Sequence, residues 1–223
     1  MNIKNLILCT FFVYLLILPE NLLAEFKKEI KLIDSGNCEE ALIENKNTQI
    51  ENEKKFNPKK IFNGKHLIKI FRIYSINRRI EILDKNCKRP TEAFKLAKES
   101  LKLEKELFKI PQKEFGKHLE YSEFERNKNL ADAYSRVAGF YLDSGDLKKG
   151  IEYYKKNSEI YERIELYDPR SLLDYNYSIL AGAYNKYGDL KNARLYKEKY
   201  LNYMRLKYGD KTNKFFKALF SVY

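Results

Sequence analysis

Residues 130–156, LADAYSRVAGFYLDSGDLKKGIEYYKK, and residues 173–199, LDYNYSILAGAYNKYGDLKNARLYKEK, are two copies of one pattern. At an offset of 43 residues, twelve of the 27 aligned positions carry the same amino acid, well above chance. In both copies tyrosine and alanine recur at helical spacing before a Gly-Asp pair. Glycine accepts the left-handed conformation at a helix end, and aspartate can cap the next helix. Each copy therefore predicts two antiparallel helices, the second ones over 147–167 and 190–208.

The order of conserved residue types in these copies resembles the tetratricopeptide repeat, in the longer variety found in kinesin light chains. The copy that fits best carries Tyr177, Leu180, Ala181, Tyr184, Gly188 and Ala193 at the family's positions; the other carries Tyr134, Val137, Ala138, Tyr141 and Gly145, with Gly150 in place of the usual alanine. The resemblance implies an all-α solenoid of antiparallel helical hairpins, which is a scaffold for binding other proteins.

The pattern weakens upstream, where residues 36–42 and 91–97 each resemble the turn and second-helix start of a degenerate unit. Residues 45–65 are polar and contain Asn-Pro and Asn-Gly pairs, which favour a loop. The predicted organisation is a signal peptide at 1–24, a degenerate helical region at 25–109, a linker at 110–126, two repeats at 127–209 and a C-terminal capping helix at 210–223.

Composition agrees with a helical protein. Hydrophobic residues make up 44% of the 223, enough to bury a core and exclude wholesale disorder. The chain has only nine glycines and five prolines, whereas sandwiches and barrels use more of both in their turns.

The first 24 residues have the features of a secretory signal peptide. Lys4 precedes the apolar run 6–18, and Ala24 provides a small residue at the cleavage point. The run is shorter than the roughly 20 apolar residues that span a bilayer. We therefore expect a periplasmic or secreted protein; the alternative is anchoring to a membrane by an uncleaved N-terminal segment.

Cleavage after Ala24 would leave two cysteines, Cys38 and Cys87, in the mature chain. Both follow an apolar helix end and a polar turn. Because an oxidising compartment permits pairing, we expect a disulfide between them, and the alternative is two separate thiols packed at helix ends.

Family resemblance places the ligand-facing positions on the first helix of each repeat. They are Asp132, Ser135, Gly139, Leu142 and Asp143 in the first copy, and Tyr175, Ser178, Gly182, Asn185 and Lys186 in the second. The family's clamp for C-terminal carboxylates needs lysine and asparagine where serine and glycine stand here, so that role is not supported. The paired glycines either admit a peptide backbone closely or relieve helix crowding.

Sixteen of the eighteen tyrosines fall in residues 121–223. Those at the repeat's packing positions are expected in the core: Tyr134, Tyr141, Tyr153, Tyr177, Tyr184 and Tyr196. Four others are better candidates for a binding surface: Tyr175, Tyr187, Tyr200 and Tyr203.

Positive charge is concentrated in one segment. Residues 54–89 contain twelve lysines and arginines against two carboxylates, which is +10 of the chain's net +12. Aromatic residues interleave, so lipid headgroups or acidic glycans are candidate partners, and nucleic acid ranks lower for an exported protein. The alternative is a solvated loop. The candidate anion-binding residues are Lys59, Lys60, Arg72, Arg78 and Arg79.

The sequence favours binding over catalysis. The two histidines, His66 and His118, lie far apart and match neither a metal-ligand nor a triad spacing, and no phosphate loop or nucleophile elbow occurs. We therefore predict a non-enzymatic scaffold without metal or cofactor, which binds a protein or peptide on the concave face of the solenoid. The alternative function is an adaptor to an anionic envelope surface through residues 54–89.

Overall fold

The computed structural model describes residues 28, 31–33, 35–55, 64–115, 123–164 and 172–209. The predicted signal peptide and C-terminal capping helix lie outside these residues. The described chain is helical and contains no strand, which confirms the all-α prediction. Its α-helices are α1 (Cys38–Lys55), α2 (Gly64–Glu81), α3 (Pro90–Phe108), α4 (Glu123–Asp143), α5 (Leu147–Ile164), α6 (Leu173–Tyr187) and α7 (Leu190–Tyr208).

The same turn recurs before four of these helices. A residue with positive φ stands at positions 36, 88, 145 and 188, and a small buried residue follows five positions later, namely Ala41, Ala93, Gly150 and Ala193. In two turns aspartate caps the next helix: Asp146 Oδ1 accepts from the Lys149 amide and Asp189 Oδ1 from the Asn192 amide, each at 3.1 Å. The degenerate upstream copies therefore share the geometry of the clear ones.

Contacts divide the described chain into two compact units, with the division inside α3 between Leu96 and Ala97. In the first unit α1 packs against α2 and against the π-helical turn Ile82–Asn86 that follows it. Cys38 begins α1 and Cys87 follows that turn, and their Cα atoms are 5.7 Å apart, a disulfide distance. The structure thus brings together the two cysteines that the sequence paired.

In the second unit, α4 packs against α5, α5 against α6, and α6 against α7. Helices α4 and α5 form one hairpin, and α6 and α7 form the next, in register with the 43-residue repeat. The core of the second unit contains alanine, aliphatic and tyrosine side chains. Its fully buried residues include Ala131, Val137, Tyr161 and Leu180. Successive hairpins stacked in this way are the solenoid arrangement that the sequence predicts.

Two predicted boundaries differ from the structure. The loop expected over 45–65 is wrong over 45–55, where α1 continues. The buried positions of that helix include Asn45, Thr48 and Asn52. Because these residues are polar, the sequence shows no apolar periodicity there from which a helix could be predicted. The expected linker 110–126 contains a 3-10 turn, Gln112–Phe115, and its last four residues are the first turn of α4.

Lys88 occupies the left-handed position that glycine fills in the other three turns, with φ of 56°. A side chain there costs about 1 kcal/mol, since Cβ approaches the following carbonyl. Lys88→Gly is therefore expected to raise the free energy of unfolding by up to about 1 kcal/mol. Urea unfolding measures this. Asn86→Gly, at an exposed position without positive φ, serves as the control and is expected to destabilise.

Gly150 allows α4 and α5 to approach closely. A Cβ built there would lie 2.2 Å from Leu142 Cδ2 and 3.3 Å from the Leu142 backbone nitrogen. Gly150→Ala is therefore expected to destabilise by about 1 kcal/mol, because overpacking outweighs the gain in helix propensity. In a Leu142→Ala background the same change is expected to stabilise. An unchanged sign in that background, measured by urea unfolding, would contradict the packing account.

Candidate protein-binding face

The five predicted binding positions on α4 lie on the side of the helix that faces away from the core. Positions 132, 135, 139, 142 and 143 fall within about 100° around the axis at 3.6 residues per turn. Asp143 is exposed, and Asp132, Ser135, Gly139 and Leu142 are half-buried. Leu142 also packs against Gly150, so part of its side chain belongs to the hairpin core.

The five positions on α6 lie on the equivalent side of their helix. Gly182, Asn185 and Lys186 are exposed, Tyr175 has 54% of its surface exposed, and Ser178 is half-buried. We call the ten positions on the two helices the α4/α6 face.

Tyr154 of α5 connects the two halves of this face. Its hydroxyl shares hydrogen bonds with Ser135 of α4 and Tyr175 of α6 and lies near Asp143. Burial, with only 5% of the residue exposed, is the main cause that raises the pKa of Tyr154 to about 12, so the phenol stays neutral and bonded. Predicted residues from both copies are therefore within reach of one side chain. Sequence reasoning missed Tyr154, because in the second copy the equivalent position is a lysine.

The two glycines of the face stand over open space. Apart from its chain neighbours and the backbone of its own helix, a Cβ built at Gly139 or at Gly182 meets no atom of the described chain within 4 Å. Helix crowding, one of the two explanations for these glycines, therefore finds no support among the described residues. Each glycine instead costs its helix about 1 kcal/mol relative to alanine.

Asp132 belongs partly to a structural network. Its Oδ1 accepts a hydrogen bond of 2.7 Å from the buried Tyr161 hydroxyl, and Lys128 forms an ion pair with its Oδ2 at 3.3 Å. Nearby, burial raises the pKa of Glu104 of α3 to about 7; Arg136 opposes this and Asp132 adds to it. The sequence marked Asp132 as a ligand-facing residue, and the structure shows that its carboxylate also holds α5 to α4.

The tyrosine predictions are correct in part. Tyr175 and Tyr187 are exposed, as expected of surface candidates, whereas Tyr203 is buried and Tyr200 half-buried. In the second copy the packing tyrosines are buried, and Tyr184 stacks on Tyr196 with ring centroids 5.5 Å apart.

In the first copy the expected core tyrosines Tyr134, Tyr141 and Tyr153 are only half-buried. The ammonium groups of Lys149 and Lys156 lie over the rings of Tyr141 and Tyr153, at 5.3 and 5.2 Å. Long lysine side chains thus cover aromatic surface that the predicted core would have buried.

The arginines of the basic segment are engaged inside the first unit. Arg72 forms an ion pair with Glu53 at 3.0 Å, and Arg78 forms one with Glu81 at 2.7 Å. Arg79 donates to the side-chain oxygen of Gln49. The other two candidate anion-binding residues, Lys59 and Lys60, lie outside the described residues. These contacts leave less positive charge available to an external anion.

Within the described ranges no group of three or more histidine, cysteine or carboxylate side chains is arranged to hold a metal ion. In the same ranges no helix has the length and apolar character needed to cross a membrane. Asn176, in an Asn-Tyr-Ser glycosylation sequon, is 1% exposed, so the folded hairpin does not present its amide for modification.

No protein-family model matches the chain, and no curated protein sequence is detectably similar to it. Among solved structures, it is similar to a crystal structure of MamA protein, with 17% identity and a TM-score of 0.34 over 85% of this chain and 96% of that one. A second structure, the MamA RS-1 ArsTM double mutant, gives the same identity and TM-score over 86% of this chain and 99% of that one. Similarity this low carries no argument, so the fold rests on the chain's own helices.

Proposed function

We propose that this protein is a non-enzymatic interaction scaffold of the tetratricopeptide type, which binds a protein or peptide through the α4/α6 face. The observation that carries the proposal is the pair of glycines, Gly139 and Gly182, which stand in register on two neighbouring hairpins over open space. Nothing in the described packing requires them, and both weaken their helices. A ligand backbone lying against the two helices is a reason for their presence.

The surroundings of the glycines suit a peptide. Ser135 and Ser178 stand one turn before them and offer hydroxyl groups, and Asn185 and Lys186 follow Gly182. The exposed Tyr175 adds a large apolar ring with a polar tip, the kind of side chain that anchors many interfaces. The buried Tyr154 is hydrogen-bonded to Tyr175 and Ser135 and so fixes their side chains, which preorganises the face for binding.

Gly139→Ala with Gly182→Ala tests the proposal in a way that separates binding from folding. Alanine is the better helix former, so the double variant is expected to unfold at higher urea concentration, by about 2 kcal/mol in total. Its added methyl groups block close backbone approach, so capture of the native partner, crosslinked before lysis, is expected to fall at least tenfold. Increased stability with undiminished capture would overturn the proposal.

A second variant addresses the polar and aromatic side chains of the same face. Tyr175, Asn185 and Lys186 are exposed, and Tyr154 keeps Ser135 as a hydrogen-bond partner when Tyr175 is removed. We therefore expect the fold of the triple alanine variant to persist and capture of the same partner to be lost. Lys191→Ala with Arg194→Ala, at exposed positions on α7, is the matched control and is expected to capture normally.

We further propose export to the periplasm or the extracellular space. The apolar run at 6–18 and the approach of Cys38 to Cys87 support it, since disulfides persist in oxidising compartments. Mass spectrometry of the protein from its native host is expected to show an N-terminus after Ala24. An intact N-terminal segment with free thiols would contradict export by cleavage.

A further inference from the structure

A cleft of about 780 Å³ lies in the second unit, where the end of α3, the first half of α4 and the second half of α5 converge. Its base is apolar: Leu130 and Ile160 are buried beneath it, and Tyr134 is half-buried. Phe108 at its edge keeps 37% of its surface exposed. The cleft therefore offers an apolar base to any ligand that brings an apolar side chain.

The cleft is on the opposite side of α4 from the proposed binding face. At 100° per residue, Leu130 and Tyr134 lie within about 40° of each other, whereas Gly139 lies about 140° or more from both. The contacts agree, because Tyr134 packs against Tyr153 of α5 with ring centroids 6.0 Å apart. A ligand in the cleft would therefore leave the α4/α6 face unoccupied.

Positive charge dominates the edge of the cleft. Lys109 and Arg163 are exposed and have no ion-pair or hydrogen-bond partner within the described part of the chain. The Lys105 ammonium lies 5.2 Å from the centre of the Tyr134 ring, above the apolar base. Lys156 also lines the cleft, but it is ion-paired with Glu152 at 2.6 Å.

The acidic residues of the cleft compensate this charge only in part. Glu162 accepts hydrogen bonds from the Tyr177 hydroxyl at 2.7 Å and from Lys199 at 2.8 Å, so α6 and α7 already supply its partners. Glu159 is the other carboxylate that lines the cleft. Three cations without a carboxylate partner thus face one carboxylate.

We propose that this cleft binds an acidic peptide segment, whose carboxylates meet Lys105, Lys109 and Arg163 while an apolar side chain enters between Phe108 and Tyr134. The combination of an apolar base and a cationic edge favours one class of ligand over another. A nucleic acid presents a regular row of phosphates but no aliphatic side chain to fill the apolar base. A peptide can alternate carboxylates with apolar side chains and satisfy both parts of the cleft.

The test uses synthetic decapeptides with blocked ends and isothermal titration of the mature chain. The probe alternates glutamate with leucine. One control peptide alternates lysine with leucine and another alternates glutamate with serine. The cleft is expected to bind the Glu-Leu peptide at least tenfold more tightly than either control, and binding is expected to weaken as salt increases, because the contacting charges are exposed.

Two charge-reversal variants locate the binding. Lys109→Glu with Arg163→Glu is expected to weaken Glu-Leu binding at least tenfold. Lys102→Glu with Lys155→Glu changes the net charge equally, at exposed positions on α3 and α5 outside the cleft, and is expected to bind like the wild type. Phe108→Ala is expected to weaken binding of the Glu-Leu peptide but not binding of the Glu-Ser peptide.

Several outcomes would overturn the proposal. They are absence of Glu-Leu binding to the wild type, equal losses in both charge-reversal variants, or tighter binding of a single-stranded oligonucleotide than of the Glu-Leu peptide. The Gly139→Ala, Gly182→Ala variant is expected to bind the Glu-Leu peptide normally. A negative result for peptide binding in the cleft can therefore be distinguished from a negative result for partner binding at the α4/α6 face.

Discussion

Replacing both Cys38 and Cys87 with serine is expected to lower the free energy of unfolding by about 4 kcal/mol. The two cysteines are 49 residues apart in sequence and their Cα atoms are 5.7 Å apart in the fold, where they join the start of α1 to the turn after α2. A crosslink that closes a loop of this length removes conformational entropy from the unfolded chain, which amounts to about 4 kcal/mol in the chain-entropy model. Three of the buried residues of α1 are polar, namely Asn45, Thr48 and Asn52, so this helix contributes less apolar burial and depends more on the crosslink.

Urea unfolding of the mature chain at neutral pH measures this difference. Reductant added to the wild type is expected to produce the same loss as the double serine variant, and to leave that variant unchanged. Two thiols that react with a maleimide in the non-reduced native protein, together with equal unfolding midpoints, would show that no bond forms.

Replacing Glu104 with glutamine is expected to remove a pH dependence of stability worth about 3 kcal/mol. Glu104 is 4% exposed, and burial raises the pKa of its carboxyl to about 7 from 4.5, with Asp132 adding to the rise and Arg136 opposing it. The folded state therefore holds the proton more tightly than the unfolded state. This contribution is fully present below about pH 4.5 and is lost as the pH rises through about 7.

Urea unfolding at pH 5 and pH 8 tests this expectation. The wild type is expected to lose about 3 kcal/mol more than Glu104→Gln between these two pH values. Glu99→Gln, at an exposed position on the same helix, is expected to keep the wild-type pH dependence. Parallel pH profiles for the wild type and Glu104→Gln would contradict a buried, protonated carboxyl.

The sequence predicted the second unit well because two copies of the pattern reinforced each other. Gly145 and Gly188 both have positive φ, and the aspartate after each caps the next helix, as their residue types require. Lys88 takes the same backbone position without being glycine, so the turn before α3 gave no such signal. The helix through residues 45–55 was missed because its buried side carries asparagine and threonine instead of apolar residues.

The sequence predicted which positions form the candidate site, but not the interactions that link them to side chains of other helices. The ligand-facing positions follow from the resemblance to the repeat family, and they lie on the outward side of α4 and α6. Tyr154 reaches this face from α5, and Glu104 of α3 lies near enough to Asp132 for the Asp132 charge to raise its pKa. Neither relation leaves a trace in the local sequence. The same holds for the basic segment, whose arginines find partners such as Glu53 and Gln49 only once α1 and α2 pack together.

Site-specific photocrosslinking shows directly whether a partner binds over the α4/α6 face. A photoreactive phenylalanine analogue would replace Ser178 on the face or, in a separate protein, the exposed Lys155 on α5, and the crosslinked products in native envelope extract would be identified by mass spectrometry. We expect one defined protein crosslinked at position 178, absent at position 155, and lost when Gly139 and Gly182 are changed to alanine. The same products at both positions, or a crosslink that persists in the alanine background, would contradict it.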